Sequence, residues 1–137
     1  MTTMIKLSTN KSLGEVKTAL QAVVPANRFD ITQVFNIRKL TKKGVQFATG
    51  CVIFEIRKAH QKGDAPEDAR NRLGTSPCCI SIYVKGEKTM LAALKPTSLL
   101  ALFSAPQLVR VARDVEASML KIMHEAARGD HGQRVPA

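Results

Sequence analysis

The sequence predicts an α+β fold: an antiparallel sheet in the order β-α-β-β-β-β-α, with its helices packed on one face. Three observations predict it. Two segments repeat apolar residues at helical spacing, each behind a capping-box pattern. Three further segments alternate with a period of two, a fourth follows a hairpin turn, and a fifth, at the N-terminus, is a short candidate strand. Runs of strands between helices, rather than strict strand–helix alternation, favour antiparallel pairing.

Met4–Thr9 is the first short strand expected. Ser12-Leu13-Gly14-Glu15 then matches a capping box, in which the serine hydroxyl accepts from the third following amide and the glutamate reaches back. Leu13, Val16, Leu20 and Val23 follow at helical spacing, with Lys17 and Gln21 outward, and Pro25 is expected to stop the helix.

From Phe29 the period changes to two. Phe29, Ile31, Phe35 and Ile37 are expected on one face, with Asp30, Thr32 and Asn36 on the other. Gln33 interrupts the apolar set, which marks a bulge or loose edge there. After a turn at Lys42-Lys43-Gly44, Val52, Phe54 and Ile56 alternate with Ile53, Glu55 and Arg57.

Residues 58–76 form a polar, Gly/Pro-punctuated insertion, with a short helix expected from Pro66 to Leu73 behind Asp64 and Glu67. Pro77 leads into a strand with Cys78, Ile80, Ile82 and Val84 on one face and Cys79, Ser81 and Tyr83 on the other. Lys85-Gly86-Glu87-Lys88 reads as a hairpin turn into an antiparallel strand over Thr89–Leu94.

A loop or helical turn is expected through Leu99–Phe103. Ser104-Ala105-Pro106-Gln107 is a second capping-box pattern, and Leu108, Val111, Val115, Met119, Ile122 and Ala126 form a long apolar stripe. Ala112 and Met123 broaden it, while Arg110, Arg113, Asp114 and Lys121 face out. Gly129 ends the helix. Residues 1–128 thus read as one domain and 129–137 as a disordered tail.

With 137 residues and 45% hydrophobic content, the chain suits a single globular domain. No apolar run approaches the ~20 residues of a membrane span, and no secretory signal pattern opens the sequence. A soluble cytoplasmic protein without membrane contact is the expectation. Cys51, Cys78 and Cys79 are odd in number and lack C-x-x-C spacing, which argues against a disulfide framework or zinc site. Adjacent strand cysteines point to opposite faces, so Cys78 and Cys79 are not expected to bridge.

The net charge of +10 is uneven: residues 1–62 hold 11 Lys/Arg against 3 Asp/Glu. Arg38, Lys39, Lys42 and Lys43 concentrate it into a candidate polyanion-binding group. The alternative is a solvated strand end, and neither an aromatic platform nor a recognition helix accompanies the charges.

The segments Phe29–Ile37 leading to Lys43-Gly44, Cys51–Ile56, Ser76-Pro77-Cys78-Cys79-Ile80-Ser81-Ile82-Tyr83 and Leu94-Lys95-Pro96 together resemble the domain of unknown function 302 family. The third is similar to the family's Leu-Pro-Cys-x-Ile-x-Val-Tyr string. The resemblance covers about residues 4–127 and implies an α+β fold similar to the TATA-binding-protein-like architecture. It makes a homodimer unsurprising, and it implies no biochemical activity. Many members carry Cys-Asn-Pro after the third strand, where this chain has Arg57-Lys58-Ala59, so a role needing both family cysteines does not transfer.

Cys78, Cys79 and Tyr83 are the candidate ligand-binding residues. A reactive thiol at Cys78 competes with a small buried hydrophobe, a common fate of unbridged cysteine, and no neighbouring cation is assured to lower its pKa. Tyr83 offers either a stacking surface or a packed ring with its hydroxyl at an edge. His60, His124 and His131 share no metal spacing, and the Asp64, Glu67 and Asp68 cluster is explained by capping. No cofactor is implied. The sequence favours a non-enzymatic protein, a homodimer binding a small ligand or partner through the uncovered sheet face or near Pro77–Tyr83. Thiol-based sulfur or redox chemistry at Cys78 or Cys79 and polyanion or nucleic-acid binding are the alternatives.

Overall fold

Residues 3–37, 50–59, 77–100 and 108–128 are described by the computed structural model, and they form five strands and three helices. In chain order these are β1 (Met4–Thr9), α1 (Leu13–Ala26), β2 (Phe29–Ile37), β3 (Cys51–Lys58), β4 (Cys78–Lys85), β5 (Lys88–Leu94), α2 (Pro96–Leu100) and α3 (Val109–Arg128). The strands make one sheet in the order β1-β5-β4-β3-β2, and every neighbouring pair is antiparallel. Following the directions across the sheet, β1 and β2 run parallel at opposite edges. Helix α1 therefore carries the chain across the whole sheet.

The capping box forms as the sequence predicts. Ser12 Oγ accepts from the Glu15 amide at 3.1 Å, and the Ser12 amide donates to Glu15 Oε1 at 2.8 Å. Pro25 does not stop the helix at its own position but lies inside the last turn. Asn27 closes the end: its amide donates to the carbonyls of Val23 and Val24, and its side chain also donates to Val23. Arg28, at φ 64°, then turns the chain into β2.

Helices α1 and α3 pack on the same face of the sheet. Val16, Ala19, Leu20, Val23 and Val24 of α1 and Ala112, Val115, Met119, Ile122, Met123 and Ala126 of α3 are buried. All but Ala112 meet Ile5, Phe54, Ile56, Ile80, Ile82 and Leu91 from the strands in one core. Full burial of side chains this size contributes about 1.5–3 kcal/mol each, so this face defines the fold.

Strand β2 corrects one expectation. Ile31 pairs with Ile56 and Gln33 with Glu55, which leaves Thr32 as the extra residue of a bulge. The bulge reverses the alternation, since one inserted residue moves every later side chain to the other face. Phe29 is 3% exposed on the helix side, whereas Phe35 is 43% exposed on the outer face. Phe35 and Ile37 thus do not share a face with Phe29 and Ile31. Thr32 Oγ1 donates to Glu55, reaching the backbone carbonyl at 3.1 Å and Oε1 at 2.7 Å, which fixes the bulge to β3.

Strands β3 and β4 keep the predicted alternation, and β5 pairs antiparallel with β4 as the expected hairpin partner. Gly86, at φ 66°, opens the two-residue turn between the paired Lys85 and Lys88. A five-residue helix at Pro96–Leu100 overlaps the start of the loop or helical turn expected through Leu99–Phe103, whose last three residues lie outside the described residues. The insertion helix at 66–73, the Ser104 cap, the Lys42–Gly44 turn, and Gly129 with its tail lie outside the described residues.

Candidate functional site

The sheet divides at one end. Strand β4 stays paired with β3 as far as Cys78, and β5 stays paired with β1 as far as Leu94. Their mutual ladder, however, ends at Ser81 and Ala92. Below that pair the two strands part, and a cavity of about 360 Å³ opens between them. Pro77, Cys78, Cys79 and Ser81 form one lip; Ala92, Ala93, Leu94 and Met4 form the other. Pro96 and the buried Val115 close the helix side.

The frame around the cleft is braced by hydrogen bonds. The Lys95 amide donates to the Thr3 carbonyl at 2.9 Å, extending the β1–β5 connection past Leu94. Glu116 of α3 accepts at Oε1 from the Thr97 amide at 3.1 Å and the Thr97 hydroxyl at 2.6 Å. That carboxylate satisfies donors at the start of α2 and holds Pro96 over the cleft. None of the lining side chains is charged.

Alternation along β4 places the two cysteines on opposite sides of the same lip. Cys78 is half-buried toward the helices, and Cys79 is exposed on the outer face. Burial pushes the Cys78 thiol up to about 11, with the neighbouring Cys79 adding to the rise. Cys79 is also raised, first by burial and then by the Glu55 carboxylate on β3. A nucleophilic cysteine needs the opposite setting, a cation or helix N-terminus that favours the thiolate. Both thiols are held protonated at neutral pH.

Tyr83 lies away from the cleft. It pairs with Cys51 and Met90, farther along β4 than the last cleft residue, Ser81. Cys51 is buried, and none of the three cysteines forms a disulfide. The polyanion candidates Arg38, Lys39, Lys42 and Lys43 lie outside the described residues, as do His60, Asp64, Glu67, Asp68 and His131. His124 is exposed on α3. Among the described residues no three His, Cys, Asp or Glu side chains gather as metal ligands, and no helix is long and apolar enough to cross a membrane.

A smaller hollow of about 240 Å³ lies between the start of α1 and the β2–β3 pair, lined by Gly14, Lys17, Asn36 and Gly50 among others. Lys17 Nζ donates to Asn36 Oδ1 there at 3.4 Å.

The family model for the domain of unknown function DUF302 matches residues 5–126, which takes in the three helices except the last two residues of α3, and all five strands and both lips of the cleft but for Met4. The chain belongs to the DUF302 family. Its fold is similar to the crystal structure of an uncharacterized conserved DUF302 protein from Bacillus stearothermophilus, with a TM-score of 0.74 and 22% identity, covering 92% of this chain and 99% of that one. At that identity the likeness establishes the fold alone. No curated protein matches the sequence.

Within this DUF302 chain, the Pro77–Tyr83 string supplies one lip of the cleft, and Leu94-Lys95-Pro96 supplies part of the other. The position of the family's Cys-Asn-Pro string holds Arg57, Lys58 and Ala59 at the end of β3, where the Ala59 amide donates to the Arg28 carbonyl. Met4, Ala92, Leu94, Pro96 and Val115 were not candidates in the sequence. One signal pointed toward them: Met90-Leu91-Ala92-Ala93-Leu94 is apolar at every position, so its outer face is apolar as well as its core face.

Proposed function

We propose that this chain is a non-catalytic binding domain that takes a small, largely apolar ligand in the cleft where β4 and β5 part. The observation that carries this is the cleft itself. Its volume of about 360 Å³ falls at the small end of ligand pockets, roughly 300–1,000 Å³, and its walls are apolar with a few small polar groups. The raised thiol of Cys78 weighs against sulfur-transfer or redox chemistry in the same place, because the neutral thiol is a poor nucleophile. In this role the protein works in the cytoplasm, where its unbridged thiols stay reduced.

A thermal-shift screen of neutral apolar fragments against the full chain, followed by amide chemical-shift mapping, tests the proposal. Hits should perturb Cys78–Ser81 and Ala92–Leu94, and Ser81→Phe, which fills the mouth, should abolish them. Hits that map elsewhere and survive Ser81→Phe would refute it, as would turnover that depends on a single named side chain.

A second reading, a homodimer through the outer sheet face, is favoured by the exposure of Phe35 (43%) and Leu94 (51%) on that face. Sedimentation of the wild type and of Phe35→Lys decides it. A dimer that Phe35→Lys dissociates supports the reading, and a monomer at all concentrations ends it.

A further inference from the structure

We infer that the ligand of the β4–β5 cleft is an anionic amphiphile, a medium-length apolar chain ending in a carboxylate that Lys6 receives at the mouth. This deepens the binding role proposed above and rests on it. The lining has no charged side chain, so the part of the ligand that enters must be uncharged; an unpaired ion there would cost far more than its burial returns. Any charge on the ligand must remain at the mouth.

Charge at the mouth is arranged asymmetrically. Met4 and Lys6 share the outer face of β1, and Lys6 is the direct cross-strand partner of Ala92, a lining residue. One strand spacing, about 4.8 Å, separates the two backbones, well within reach of a lysine's four-carbon stem. Lys6 is exposed.

On the opposite side stands Glu55, the cross-strand partner of Cys79. Its Oε1 already accepts from the Thr32 hydroxyl across the β2–β3 pair, away from the cleft. From β3 to β1 is three strand spacings, roughly 14 Å, which exceeds the screening length of about 8–10 Å at moderate salt. An anion at Lys6 is therefore little repelled by Glu55, whereas a cationic head group at the same place is repelled by the lysine. The net charge of +10 adds a field that draws anions toward the protein.

Calorimetric titration of the full chain at low ionic strength with octanoate, octanol and octylamine tests the inference. Octanoate should bind about fivefold tighter than octanol, the upper range for an exposed charge pair, and octylamine weakest. Lys6→Gln should erase the preference for octanoate while leaving octanol binding unchanged, and Lys6→Glu should move the preference to octylamine. Equal binding of octanoate and octanol to wild type and Lys6→Gln would overturn the head-group assignment and leave the apolar cleft standing. If none of the three binds the wild type, the binding role falls, and the inference with it.

Discussion

The hydroxyl of Thr9 donates to the backbone carbonyl of Ala127 at 2.6 Å, joining the end of β1 to the last turn of α3. A helix leaves its final carbonyls without intrahelical partners, and this strand residue supplies one. Thr9→Val keeps the shape and removes the donor. It should lower unfolding free energy by about 1 kcal/mol, read as a reduced urea midpoint at unchanged slope.

The two phenylalanines of β2 should respond in opposite ways. Phe29→Ala opens a cavity in the core and should cost about 3–5 kcal/mol. Phe35→Ala, on the outer face beyond the bulge, should cost less than about 1 kcal/mol. Chemical denaturation of both variants checks the reversal of faces at Thr32. Equal losses would show that the strand keeps a single alternation.

Two left-handed residues give a matched pair of tests. Gly86 adopts φ 66° with no atom near the position of an added Cβ, so Gly86→Ala should cost about 1 kcal/mol from backbone conformation alone. Arg28 adopts φ 64° with a full side chain, so Arg28→Gly should be neutral or stabilising by up to about 1 kcal/mol. Thermal melts should place Gly86→Ala below the wild type and Arg28→Gly level with or above it, a separation of about 1–2 kcal/mol.

The thiols should be slow at neutral pH. Iodoacetamide should label exposed Cys79 first, with Cys78 lagging and accelerating as pH approaches about 11. The folded state raises the Cys78 pKa above the ordinary 9.0 and so holds its proton more tightly than the unfolded chain. The associated stability is complete below pH 9.0 and is lost as pH rises from 9.0 to about 11. Cys78→Ala should flatten that alkaline decline. Rapid labelling of Cys78 at pH 7 would contradict the apolar setting.

Local signals revealed the helices and most strands. Ser12 and Glu15 are three residues apart, Gly86 sits inside its own turn, and the α3 stripe repeats every turn. Each is decided by neighbours in the chain. The facing of Phe35 was hidden because Gln33 announced an irregularity, while the register that turns it into a reversal is set by β3 pairing. The cleft was half visible: Pro77, Cys78 and Cys79 belong to one distinctive string. Met4, Leu94 and Val115 reach it from β1, β5 and α3, and only the place where the β4–β5 ladder stops brings them together. No local pattern encodes that stop.

Because β1 pairs with β5 at the far end of the sheet from β2, the order of synthesis and the order of assembly conflict. The first strand to leave the ribosome must wait about 5–15 s for its partner at ordinary elongation rates. Until then α1 has no finished surface to cover, and the long separation between partners favours slow, late folding. A nascent chain halted before Thr89 should lack β1 pairing altogether, leaving its N-terminal segment open to proteases and chaperones. Completion of β5 is thus the earliest point at which the sheet can close, with the core-forming α3 still to be made.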